Sequence, residues 1–217
     1  MRPVVDLRRP FISIHTSMDP ILLVLLAATA SYFINAKQQR QRIAVLAEHL
    51  QPFQIEKHIE ALTQGYLRAM GEKEDERRLQ VLALLGDNEQ SLVGQFNRFA
   101  TSFQKVSEPM ARVSKLPVSL PFATQFMAAS TFDMRKLLQV HAQGFERVIR
   151  NEAGRSPRDK AFMMTAEILL MQHSCHWYCK SKSVASARML ARNKTPHEQL
   201  VQSVSPETRA AYQALVG

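Results

Sequence analysis

The sequence predicts an all-α protein, a single N-terminal transmembrane helix followed by a helical bundle of about six helices. Three observations carry that prediction. Residues 21–34 are uncharged and mostly apolar, apolar side chains recur at three- and four-residue spacing through most of the remainder, and proline-led helix starts occur three times. No alternating five-residue segment bounded by hairpin turns competes with this pattern, and no solenoid-type repeat is present.

The first element is the stretch 18–36, MDPILLVLLAATASYFINA, in which Leu22, Leu23, Val24, Leu25 and Leu26 form the densest apolar run. The uncharged part would span roughly 25 Å as a helix, slightly short of the ~30 Å hydrocarbon core of a bilayer. Tyr32 and Phe33 suit the interface, and Lys37 and Arg40 can snorkel to headgroups. Two other readings compete with the anchor. Ala28-Thr29-Ala30 has a cleavage pattern, and Arg8-Arg9-Pro10-Phe11 resembles the start of a twin-arginine export signal, although Asp19 and the apolar continuation Tyr32-Phe33-Ile34 weigh against it. A buried core helix is the third. Residues 1–17 show no defensible period and read as a disordered leader or a misassigned start.

Orientation depends on that start. From Met1, the cations Arg2, Arg8 and Arg9 balance Lys37, Arg40 and Arg42, and the positive-inside rule favours neither orientation; from Met18, all the flanking cations follow the span and the body faces the cytoplasm.

Residues 37–217 then form one basic helical-bundle domain, long enough for a real core. A hydrophobic share of 46% with just 7 glycines indicates packing, not disorder. The formal charge of +9 belongs mostly to this body, because all but three of the 28 basic and all but two of the 19 acidic residues follow Ala36. Such a surface favours anionic neighbours: lipid headgroups first, an acidic protein partner, and nucleic acid less so for want of a binding-fold motif.

Taken in order, KQQRQR would place Lys37, Arg40 and Arg42 at headgroups. Ile43, Leu46, Leu50, Ile55, Ile59, Leu62, Tyr66, Leu67 and Met70 make one amphipathic helix kinked at Pro52 and closed by Gly71. Leu79, Leu82 and Leu85 form a stripe stopping at Gly86. Asp87 and Gln90 have capping-box spacing ahead of Leu92, Phe96, Phe99, Phe103 and Val106, which read as core. Pro109, Pro117 and Pro121 interrupt the pattern, and the apolar run 116–127 packs across the bundle or docks on a membrane or partner. A helix begins at Thr131 and ends by Gly154, and another runs from Pro157 to about Arg192. Ser156-Pro157, Thr195-Pro196 and Ser205-Pro206 are the three capped starts.

Chemistry has few candidates. Cys175, His176 and Cys179 fall within one arc of the long helix and offer two sulfurs and a nitrogen to a metal or haem, yet Ala161, Met164 and Ile168 share the arc, which makes core thiols the simpler reading. At i, i+4 the two Cβ atoms stand about 5–6 Å apart, too far for the ~3.8 Å a disulfide wants. Glu167, inside an apolar run, needs a partner, with Arg135, Arg147 or Lys160 on offer. His49, His58 and His141 read as half-exposed helix residues. Lys180, Lys182, Arg188, Arg192 and Lys194 form an acid-free basic stretch suited to anionic surfaces. Glu-x-x-His, Walker, dinucleotide, nucleophile-elbow and His-Glu-x-x-His motifs are absent. The leading expectation is therefore a membrane-anchored, non-enzymatic interaction or assembly protein facing the cytoplasm. A helical enzyme or metal or haem carrier built on Cys175, His176 and Cys179 is one alternative, and a basic nucleic-acid-binding domain is the other.

Overall fold

A computed structural model of the chain describes residues 20–119 and 127–217. The leader expected over residues 1–17, and most of the apolar run 116–127, lie outside the described residues. Helix α1, Pro20–Leu50, is continuous over 31 residues. Proline suits the first position of a helix, where its missing N–H is no loss, and no glycine or second proline follows until Pro52. The residue before a proline avoids helical geometry, so the chain turns at Gln51, and helix α2, Ile55–Gly71, starts afresh. The expected kinked helix is thus two helices, and the first of them is fused to the apolar N-terminal stretch.

The two halves of α1 have different surroundings. Ile21, Val24, Tyr32 and Phe33 are each at least 65% exposed, whereas Val45, Leu46 and Leu50 pack against the core. Arg42 leaves the expected headgroup position. Its guanidinium donates to Arg112 O at 2.8 Å and lies 5.7 Å from the centre of the Tyr178 ring, so this cation fastens α1 to the body.

Helix α3, Asp75–Ala83, carries a narrower buried stripe than expected, because Leu79 is half exposed while Leu82 and Leu85 are buried. Gly86 opens helix α4, Gly86–Phe103, instead of closing α3. Leu85 occupies the N-cap in helical geometry and its carbonyl accepts from Glu89 N at 3.0 Å, so the Asp87–Gln90 capping box does not form. The phenylalanine stripe is core as read. Phe96 meets Phe145 edge-on at 4.9 Å and Phe103 meets Tyr178 at 5.6 Å, and each such ring removed from water contributes roughly 1.5–3 kcal/mol.

After α4 the prolines shorten everything. Helix α5, Glu108–Ala111, runs into strand β1, Arg112–Ser114, which pairs antiparallel with β2, Thr131–Asp133, Val113 facing Phe132. Three-residue strands are too short for alternation to show in sequence. The helix expected at Thr131 therefore begins later, as α6, Met134–Arg150, with the Asp133 carboxylate accepting from Arg135 N at 2.9 Å. It closes on Asn151 in the left-handed region, φ 47°, one of the positions where an asparagine substitutes for glycine.

The expected helix 157–192 is also two, α7, Pro157–Cys179, and α8, Lys182–Asn193. Ser181 breaks it by capping Val184 N, while Ser183 N donates to Pro117 O at 3.0 Å, turning α8 back along α7. Ser156 and Ser205 cap as read, accepting from Asp159 N and Thr208 N at 3.2 Å each. Thr195 does not: its hydroxyl donates to Asn193 O, and Pro196 stands at the N-cap of α9, His197–Ser203. Helix α10, Pro206–Val216, ends the chain. Among the described residues nine α-helices and one 3-10 turn follow α1, more and shorter elements than the six or so helices expected. α6 sits centrally, packed on α4, α7 and α10; α2 packs on α3 and α4, and α8 and α9 lie on α7.

Candidate functional site

The last turns of α7 bring the predicted donors to an open groove. Cys175, His176 and Cys179 line it together with Leu46 of α1, Ile59 and Tyr66 of α2, and Arg188 and Arg192 of α8, enclosing about 920 Å³. Its walls come from helices far apart in sequence, which is why periodicity along one helix could not reveal it. The floor is mainly apolar, and Leu67 and Phe162, at 69% and 54% exposure, stand at its edge. A concave, mainly apolar space of this size with a few converging polar groups is the common form of a small-molecule site.

The thiols contribute packing chemistry. Cys175 Sγ lies 3.7 Å from Met171 Sδ, and both cysteines are free and half-buried. Burial pushes the Cys175 thiol far above its ordinary range and Cys179 up to about 11, the latter against the opposing pull of Arg42. Reactive cysteines need the opposite shift, toward thiolate. Among the described residues no group of three or more His, Cys, Asp or Glu side chains is placed to hold a metal ion.

His176 is held neutral by burial first, then by the nearby charges of Arg188 and Arg192. Its Nδ1 is shielded and makes no hydrogen bond. Neither arginine has an ion-pair partner among the described residues. Glu56 and Glu60 of α2 also line the groove and are likewise outside any ion pair.

The five predicted basic residues divide among four surroundings. Lys180 Nζ donates to Gln39 Oε1 of α1 at 3.0 Å, and Lys182 lies 5.2 Å from the centre of the Trp177 ring. Arg188 and Arg192 face the groove, while Lys194, in the left-handed C-cap of α8, donates to Ala191 O at 3.2 Å.

The sequence reading missed a buried polar network behind α7. His141, expected half-exposed, is fully buried, its Nε2 2.9 Å from Ser174 Oγ. His173 stacks on His197 at 4.1 Å and reaches Ser186 Oγ at 3.0 Å, and His197 Nε2 meets Tyr212 OH at 3.0 Å. Burial lowers His141 and His173 to about 3 and His197 to about 4. Of the partners expected for Glu167, Arg135 and Lys160 pair with Asp133 and Glu89, while Arg147 acts on it through its charge, favouring the carboxylate, without an ion pair among the described residues. Instead Oε1 accepts from Ser205 N at 3.2 Å and faces Ser205 Oγ at 3.0 Å, and burial raises its pKa. Gly144 makes this possible, since a Cβ there would stand 2.5 Å from Glu167 Oε2. No feature of a single sequence marks these contacts, because each joins two different helices across a turn or across the fold. The chain matches no known protein family, no curated protein and no solved structure.

Proposed function

We propose that the protein is a membrane-anchored helical interaction or assembly protein whose bundle faces the cytoplasm, and that it performs no catalysis. The observation that carries this reading is the exposure of α1. Its most apolar 18-residue window has no residue buried within the protein, while the same helix continues without a break into the core. Water does not tolerate so large a bare apolar surface, and a bilayer covers it. This exposure favours the anchor over a core helix, and continuity through residue 30 disfavours a cleavage site there, which a peptidase must read in extended chain.

The base of the body supports the same reading. Asn35 Nδ2 donates to Ser119 O at 3.0 Å, so the segment containing Pro117 and the half-exposed Val118 lies against the end of the apolar stretch. Lys37 and Arg40 follow at once, and Lys180 joins them through Gln39. Cations placed there suit anionic headgroups of the inner leaflet. A protein partner or membrane assembly would then meet the remaining faces.

The test is fractionation of the full chain. It is expected in the pellet after ultracentrifugation, resistant to high salt and alkaline carbonate, and released by mild detergent. Recovery of the intact chain in the detergent-free supernatant refutes the anchor. Labelling of a cysteine placed at Lys194 by a membrane-impermeant maleimide, seen in lysed but not in intact cells, tests the orientation.

A further inference from the structure

We propose that the groove between α2, α7 and α8 binds a single-chain lipid with an anionic head, the acyl chain lying along Ile59, Tyr66 and Phe162 and the head against Arg188 and Arg192. The groove does not depend on the anchor, but the choice of a single acyl chain rests on that reading, and labelling of the groove and fractionation of the full chain fail separately. Three features select this occupant. The space of about 920 Å³ is mainly apolar and partly open, a form that admits a flexible chain, and it lies at the upper end of small-molecule sites.

Charge supplies the second argument. Arg188 and Arg192 both line the groove and act on His176, and neither has an ion-pair partner among the described residues. The two guanidinium groups alone suit carboxylate or phosphate, which they bind through paired N–H donors. Glu56 and Glu60, lining the same groove from α2, repel an anion and so confine the head to the α8 side.

Position supplies the third. Leu46 and Leu50, where α1 meets the groove, follow Ala36 by ten residues or more, about 15 Å or further along the helix. A bilayer lipid must leave the membrane to reach it. One acyl chain gives weak, reversible membrane attachment, whereas two chains do not leave readily.

The full chain, reconstituted in phosphatidylcholine nanodiscs, is exposed to a palmitate analogue bearing a mid-chain diazirine, irradiated, and the adducts are mapped by mass spectrometry. Adducts are expected on α2 and α7 around Ile59, Tyr66 and Phe162. Unlabelled palmitate or lysophosphatidic acid should compete, whichever is stronger identifying a carboxylate or a phosphate head. Arg188→Ala with Arg192→Ala should weaken labelling about tenfold, the loss of charge-assisted contacts. Leu67→Asp, at an exposed position, should weaken it with unchanged circular dichroism. Adducts confined to residues 21–36 overturn the proposal, as does equal labelling by a neutral long-chain alcohol probe or equal competition by lysophosphatidylcholine. Absence of adducts also overturns it, leaving the groove to a partner's helix.

Discussion

Lowering the pH from 7.5 to 5 should weaken the fold through the histidines behind α7. His141 and His173 are buried, and burial holds both at about 3, far below the ordinary 6.5. Their folded-state pKa is depressed, so the unfolded chain binds more protons from about pH 6.5 down to about 3, and stability falls with pH across that window. At pH 5 an unfolded histidine is nearly fully charged while the buried one is not, a difference of about 2 kcal/mol per residue. The two together remove about 4 kcal/mol, a large part of a typical 5–15 kcal/mol. His197, partly exposed, adds a smaller loss of the same sign. Glu167 acts oppositely: its raised pKa adds stability as pH falls, partly offsetting the loss. Trp177, the single tryptophan and 1% exposed, reports unfolding by fluorescence. Urea midpoints of the full chain in a mild nonionic detergent should drop steadily between pH 7.5 and 5. The variant His141→Gln, which keeps a polar partner for Ser174 but cannot titrate, should flatten that dependence by about 2 kcal/mol whatever its stability at pH 7.5. An unchanged slope in that variant refutes the reasoning.

Four further outcomes follow from local geometry. Gly144→Ala forces a methyl onto Glu167 and Thr208 and should destabilise by about 1–3 kcal/mol in the same urea titration. Lys160→Ala strips the cation from Glu89, which is 5% exposed and otherwise accepts from Tyr66 OH at 2.7 Å; about 2 kcal/mol should be lost, less than for a fully enclosed pair because Lys160 is partly in water. Ser156→Ala should cost about 1 kcal/mol and Thr195→Ala under about 0.5, since the first hydroxyl caps its helix and the second does not. A small neutral maleimide should modify Cys179 faster than Cys175 at pH 8, because the apolar surroundings raise Cys175 further.

What was readable in the chain tracks the range of the cause. The phenylalanine stripe from Leu92 to Val106, the Ser156 and Ser205 caps and the apolar N-terminal helix depend on neighbours within a few residues, and all are found. Boundaries failed where tertiary contact decided them. Pro52 ends one helix outright where a kink was expected, with α1 and α2 both packing on α4 and α7, and Ser181 ends α7 where Ser183 reaches Pro117 across the fold. Thr195 shares the Ser-Pro grammar yet turns its hydroxyl back to Asn193, so a pattern shared by three sites holds at two. For the groove, Cys175, His176 and Cys179 were found as one face of one helix. The residues opposite, Leu46, Ile59 and Tyr66, carry no mark of shared purpose, since apolar stripes look alike whether they meet another helix or an open space.

The continuity of α1 also bears on how the body can be presented. A flexible linker between an apolar stretch and a folded domain would let the domain tumble. Here residues 35–42 stay helical, and three contacts tie that stretch to the body: Asn35 to Ser119, Gln39 to Lys180, and Arg42 to the carbonyl of Arg112. Each involves a different element of the bundle, so rotation of the body about α1 would have to break all three together. On the anchor reading, the bilayer would therefore meet one defined face, built around Val118 and Lys180, and the groove would open at a fixed height above it. The unpaired arginines of α8 then stand beyond the headgroups instead of among them, which makes a ligand that has left the membrane a better match for their charge than the leaflet itself.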